Sequence, residues 1–113
     1  MEESILKDIK KLLGCPDYEH YDVDVVIHIN TALGTLTQLG VGPKEGYFIT
    51  GETERWIDFI GENYKNFQGV KTYVYLKVKL IFDPPQNTSA IESINKTIKE
   101  LEWRLNLIAE EGE

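Results

Sequence analysis

The feature that most constrains the fold is an apolar repeat near the C-terminus, which follows Asp83-Pro84-Pro85. Its members are spaced alternately by three and four residues, so they share one stripe of an α-helix. They are Ile91, Ile94, Ile98, Leu101, Leu105 and Ile108. The repeat predicts an amphipathic helix over about residues 88–109 that buries this stripe against its own domain. A short seam shared with another subunit has the same spacing and remains an alternative.

Residues 70–82, which precede the two prolines, fit both a strand and a helix. Alternate residues are apolar, as in a strand, yet helical spacing also collects one apolar face. That helical face comprises Val70, Tyr73, Val74, Val78 and Ile81. No second segment alternates in a way that could pair with a strand, and a lone strand leaves its backbone groups unpaired. The sequence therefore favours a helix over about residues 69–82, which the prolines end.

Helical spacing also predicts a first helix over about residues 4–13 and a second over about 22–39. The first buries an apolar face and turns its charged residues to water. These two sets are Ile5, Leu6, Ile9, Leu12 and Leu13 on the buried face, and Lys7, Asp8, Lys10 and Lys11 on the other. The second helix has an apolar stripe from Val25 to Leu39, and Val26 and Ile27 are expected to broaden its buried face.

Residues at the helix ends are predicted from their capping chemistry. Gly14 suits the left-handed position after the first helix. Asp22 is expected to cap the second helix, and Thr53 a short helix over about residues 53–60. Thr88 or Ser89 is expected to cap the last helix, with Glu92 completing a capping box. The predicted fold is therefore all-α, a small bundle of four to five helices in one domain, 1–113, with a glycine-rich loop at 40–52.

Composition excludes several classes of function. The 113 residues carry 19 acidic and 12 basic side chains, so a net charge of −7 argues against generic binding of DNA phosphates. No stretch approaches the roughly 20 apolar residues that span a bilayer, and the acidic N-terminus is unlike a secretory signal. Cys15 is the single cysteine, and neither His20 nor His28 has a neighbour that completes a metal or catalytic motif. We therefore predict no enzyme activity, no metal and no cofactor.

Aromatic residues are the candidates for an interface. Trp56 and Trp103 are most simply read as core residues, and the alternative is that either one anchors a contact with another protein. Tyr47 and Phe48 lie in the glycine-rich loop, which has little local helical support and could order against a neighbour. These four residues are the predicted interface set.

Five blocks of sequence, taken in order, carry a resemblance to a known family. They are ILKDIKKLLG at 5–14, YDVDVVIHIN at 21–30 with LTQLGVGP at 36–43, WIDF at 56–59, VKTYVYLKVKLIFDPP at 70–85, and KELEWRL at 99–105. In this order the chain resembles the small head–tail connector proteins, also called head-completion or adaptor proteins, of tailed bacteriophages and prophages of Gram-positive bacteria.

The resemblance implies a helical protomer that forms a ring below the portal, extends the DNA channel and offers a platform for the tail. Its partners would be the portal protein and tail or other head-completion proteins, and DNA would pass through without specific binding. The protein would be a virion component made in the host cytoplasm, without catalytic residues. The alternative is a small helical protein-interaction or regulatory module, also without catalysis, that stays a monomer or dimer.

Overall fold

The computed structural model describes residues 1–15 and 17–111 of the chain, and within them it has five helices and no β-strand. The helices are α1 Ile5–Leu13, α2 Asp22–Gln38, α3 Trp56–Ile60, α4 Phe67–Phe82 and α5 Thr88–Glu111. The all-α prediction is confirmed, and so is the helical interpretation of residues 70–82. A strand there would have needed a partner, and the described chain offers none long enough.

Helix α4 is the centre of the fold, because α1, α2 and α5 all pack against it. Val70, Tyr73, Val74 and Val78 are buried as the helical spacing predicts. Ile81 was expected on the same face but is exposed, since it lies in the last turn of α4, where cover by α2 ends. The stripe of α5 also faces inward: Ile98 and Leu105 are buried, and the other stripe residues are partly buried.

Helix α1 departs from its predicted pattern at three positions. Asp8, assigned to water, is only 10% exposed, because it meets Trp56 and Lys71. Leu12, assigned to the buried face, is exposed, and Lys10, assigned to water, is buried. The Lys10 Nζ atom lies 2.8 Å from Asp22 Oδ1 at the start of α2. The aliphatic stem of a lysine can enter a core when its charged end finds an anionic partner. Because that partner is 12 positions away in sequence, helical periodicity could not identify it.

Three predicted caps also differ. Asp22 is the first helical residue of α2 and pairs with Lys10 instead of capping. Helix α3 begins at Trp56, because Arg55 is extended and forms a bridge with Ser4. The Ile5 N–H donates to the Glu54 carbonyl, and the Trp56 N–H donates to the Glu3 carbonyl. The cap of α5 is Asn87, whose side-chain oxygen accepts from the N–H groups of Ser89 and Ala90. The predicted left-handed position of Gly14 is confirmed: its φ is 86°, and its N–H donates to the Lys10 and Lys11 carbonyls near the end of α1.

The loop between α2 and α3 is held against the core of its own chain. Asn30 on α2 accepts from the Ile49 N–H at 2.7 Å and donates to the Ile49 carbonyl at 2.9 Å. Ile49 and Val41 are both buried. The Glu54 carboxylate accepts from the Thr50 N–H and hydroxyl. These bonds order the loop without any neighbouring molecule.

Gly42 in this loop provides a test of how closely the backbone approaches the core. Its φ is +82°, and an added Cβ would overlap the Phe59 ring. Gly46 has a similar φ of +94° but open space around it. We expect Gly42→Ala to lower the free energy of unfolding by about 2 kcal/mol, from backbone strain and overpacking together.

Gly46→Ala, the matched control, should cost only the strain of the left-handed backbone, about 1 kcal/mol. Chemical denaturation of both variants measures the difference. Equal losses would mean that the Phe59 ring moves away freely and that the close approach contributes nothing.

Candidate interaction surfaces

Four apolar side chains are exposed on or beside the N-terminal half of α2, and we call them the α2 ridge. They are Tyr21, Val23, Ile27 and Ile81. Val23 and Ile27 are 75% and 54% exposed and stand one helical turn apart, opposite the buried stripe of α2 that faces α4. Tyr21 and Ile81 line one cleft, where the Tyr21 ring meets the Phe82 ring edge-on at 5.5 Å.

Two clefts flank the α2 ridge. One lies between α2 and residues 50–52 and has a volume of about 550 Å³, and the other lies between α2 and the end of α4, with about 480 Å³. No lysine or arginine lines either cleft in the described chain. Both contain carboxylates, which we call the acidic rim: Glu19, Asp22, Asp24, Glu52 and Asp83.

The charge of the acidic rim is only partly compensated. Asp22 faces the buried Lys10, and because Asp22 Oδ1 accepts no well-directed hydrogen bond, this pairing is chiefly electrostatic. Glu52 lies 3.6 Å from Lys7, and Asp83 lies 3.7 Å from Lys79, in exposed pairs of little strength. Glu19 and Asp24 have no ion pair within the described residues. The ridge is therefore an apolar surface with a net negative border.

Trp103 lies on the outer side of α5, and its side chain is 64% exposed. The core interpretation of this residue is wrong, because position 103 falls between Leu101 and Leu105 and so points away from the buried stripe. Lys96 and Lys99 stand on the same side, seven and four residues earlier, and both are exposed. Neither has an ion-pair partner in the described chain. Glu92 and Glu110 lie on this side as well, eleven residues before and seven after Trp103, and both are exposed. We call these five residues the Trp103 face, which carries charges of both signs.

The other predicted interface residues differ in exposure. Phe48 is exposed, while Tyr47 is half-buried, with its ring 5.5 Å from the Phe59 ring.

The Glu54 carboxylate is held by residues of the same loop. Burial acts to raise the pKa of the Glu54 carboxyl, but hydrogen bonds from Thr50 and Gly51 outweigh this effect and hold that pKa below its usual value. Glu54 thus stays ionised and keeps the segment after Phe48 in place.

Trp56 is fully buried, which confirms its interpretation as a core residue. Its Nε1–H donates to Asp8 Oδ2 at 2.9 Å, and Lys71 Nζ lies 2.7 Å from the same oxygen. The indole therefore joins α1, α3 and α4 through one carboxylate. This position serves the core and offers no ring surface to a partner.

Tyr73 is a buried polar residue with a structural partner. The Tyr73 hydroxyl donates to Glu102 Oε2 at 2.7 Å, and burial, reinforced by this bond, raises the pKa of Tyr73 well above its ordinary value. Across the described residues, no three His, Cys, Asp or Glu side chains gather as metal ligands would. No helix in this part of the chain has the length and apolar content to cross a membrane.

Sequence reasoning missed the α2 ridge entirely. Val26 and Ile27 were expected to broaden the buried face of α2, yet only Val26 is partly buried. A signal was present: Val23 and Ile27 lie on the opposite side of the helix from Val25 and Ile29, so the first half of α2 is apolar on two sides. A helix with two apolar sides needs cover on both, and the described chain provides it on one.

Comparison with known families gives one finding. A family model described as phage connector protein matches residues 5–112, which is nearly the whole chain. Neither a curated protein nor a solved structure matches the chain.

Proposed function

The chain belongs to the phage connector protein family, whose members are structural proteins of the phage head–tail junction, and from this premise we propose that it assembles into a ring below the portal. In this position the ring extends the DNA channel and presents a platform to the tail or the next completion protein. Residues 1–113 act as one helical domain and as one subunit of the ring.

The observation that carries this proposal is the exposure of large apolar side chains on two helices of one small protein. Val23 and Ile27 of the α2 ridge point away from α4, the helix against which α2 and α5 pack, and so does Trp103. Exposed apolar patches of this kind mark sites of protein contact. A subunit of a closed ring needs two such surfaces, one for each neighbour.

The charges of the chain support passage of DNA without specific binding. The net charge is −7, and the local group of Lys71, Lys77 and Lys79 is largely engaged. Lys71 lies 2.7 Å from Asp8, and Lys79 lies 3.7 Å from Asp83. Lys77 stands 5.9 Å from the centre of the Tyr73 ring. We propose that acidic side chains dominate the channel wall, which repels phosphates weakly in physiological salt.

Purified protein, alone and mixed with its portal protein, tests the proposal by light scattering and electron microscopy. We expect rings, either free or seated on the portal, and no retention of duplex DNA at low salt. Monomers or dimers under both conditions would favour the alternative, a helical interaction or regulatory module. Tight, salt-sensitive DNA binding would contradict the proposed channel wall.

A further inference from the structure

We propose that a cluster of aromatic rings just before α2 binds a basic segment of a partner protein, with an arginine side chain of that segment against the tyrosines. The rings are those of Tyr18, His20, Tyr21 and Phe82, and we call them the aromatic cluster. The inference goes beyond the ring proposed above and holds for a single protomer as well as for a ring.

The rings of the aromatic cluster contact one another and stay open to solvent. Between ring centroids, Tyr18 lies 5.4 Å from Tyr21 and 5.8 Å from His20. His20 meets Tyr21 edge-on at 5.0 Å, and Tyr21 meets Phe82 in the same way at 5.5 Å. Tyr18 is nevertheless 51% exposed and Tyr21 44% exposed. These contacts hold the rings in place without burying them, so a ligand finds them already positioned.

Carboxylates surround the aromatic cluster. Residues 17–24 contain no lysine or arginine, and Asp83 follows Phe82. Glu19 and Asp24 line the two clefts beside α2. The carboxylates of this segment are Asp17, Glu19, Asp22 and Asp24. Ring faces and ionised carboxylates both attract positive charge, so together they favour a cation as ligand.

The lysines of the same protein pair with only some of these carboxylates. Lys10 is held by Asp22, and Lys79 lies 3.7 Å from Asp83. Lys11 lies on another side of α1 from Lys10, where it lines a separate cavity. Three carboxylates, those at positions 17, 19 and 24, have no ion pair within the described residues. With both histidines neutral at pH 7, the surface around the aromatic cluster is therefore negative.

This charge selects the class of occupant. Phosphates of a nucleic acid would be repelled. A second copy of this chain has a net charge of −7, and its Trp103 face carries charges of both signs, so it does not complement the carboxylates. A basic segment of a different protein does. Arginine suits the site better than lysine, because a planar guanidinium can stack on a ring and bind a carboxylate through two hydrogen bonds.

NMR titration of the full chain with a capped Gly-Arg-Gly-Arg-Gly peptide at physiological salt tests the aromatic contact. We expect the amide signals of residues 17–24 and 82–83 to shift together, and the same peptide with citrulline for arginine to cause no shift. Tyr18→Ala should weaken binding about three- to fivefold, whereas Tyr18→Phe, which keeps the ring, should bind like the natural chain. Phe48→Ala is the matched control, since Phe48 is an exposed aromatic residue outside the cluster.

A second pair of variants tests the charges. Glu19→Gln with Asp24→Asn should weaken peptide binding at least about fivefold. Glu45→Gln with Glu62→Gln removes the same charge from exposed residues whose sequence neighbours line a cavity at the C-terminal end of α2. That end is about 25 Å away along the helix, beyond the screening length in physiological salt, so this control should change binding less than about twofold. Circular dichroism should show that every variant keeps its helices.

Several outcomes would overturn the proposal without bearing on the ring, because the peptide binds single protomers. Absence of binding is one, and equal binding by Tyr18→Ala and the natural chain is another. Equal losses from the two pairs of charge variants would show that the peptide responds only to the overall negative charge. Self-association of the natural chain that Tyr18→Ala abolishes would identify a second copy as the occupant instead.

Discussion

Trp56→Ala is expected to lower the free energy of unfolding by about 4 kcal/mol, whereas Trp103→Ala should change it by less than about 0.5 kcal/mol. The two residues have the same chemistry, so the difference comes from their surroundings. Trp56 has no exposed surface, and Trp103 is 64% exposed. A loss of about 4 kcal/mol is a large part of the stability of a domain of this size.

The cost at Trp56 has two sources. Removing the indole empties a site where α1, α3 and α4 meet, close to the Phe67 ring at 5.8 Å. It also removes the Nε1–H donor from Asp8, which keeps Lys71 as its remaining close partner. Trp56→Phe separates these sources, because it restores most of the ring volume without the donor. We expect Phe to recover more than half of the loss.

Urea denaturation followed by circular dichroism measures all three variants. Trp103→Ala should then fail in ring formation while its unfolding curve overlaps that of the natural chain. If Trp103→Ala proves as destabilising as Trp56→Ala, then Trp103 supports its own domain, and its exposed position on α5 would not reflect a role in assembly.

Helix positions could be predicted from the sequence because each helix repeats a local pattern. The stripe from Ile91 to Ile108 and the double proline set α5 and the end of α4, and both are confirmed. Even the ambiguous segment 70–82 could be assigned by asking where its backbone hydrogen bonds would go. Local spacing and backbone pairing are therefore sufficient to assign the helices of this chain.

Features that depend on contacts between distant segments could not be predicted. Helix α3 starts three residues later than its expected cap, since residues 54–56 pair with the N-terminal segment. Lys10 is buried because α2 brings Asp22 to it. Each of these is decided by which segments meet in three dimensions, and residue spacing within one helix contains no such information.

The exposed surfaces could not be predicted from residue spacing either. Periodicity identifies which residues of α2 share a face, but not which faces the remaining chain covers. In the sequence, Val23 and Ile27 resemble core positions because they are apolar residues of a helix. In the folded protein no other segment of the described chain covers them. Trp103 could be recognised as a candidate only because tryptophan is common at interfaces.

Asp22→Ala should lower the free energy of unfolding by about 3 kcal/mol, because it leaves the buried Lys10 ammonium without its partner. The Lys10 side chain is 3% exposed, so water cannot replace the carboxylate there without opening the structure. Lys10→Met, in contrast, removes the charge itself and fills the space with an apolar chain of similar length. We expect Lys10→Met to cost less than about 1 kcal/mol, or to stabilise the protein.

Asp24→Ala is the matched control, since Asp24 is also an acidic residue in the first turn of α2 but is exposed and unpaired within the described chain. It measures the favourable interaction with the helix dipole alone, about 0.5 kcal/mol. The double variant Lys10→Met with Asp22→Ala should recover most of the stability lost in Asp22→Ala, as thermal and urea unfolding would show. Recovery identifies the stranded charge as the cause of the loss. If the double variant is as unstable as Asp22→Ala, then Asp22 acts through its position in α2, and the proximity of Lys10 adds little.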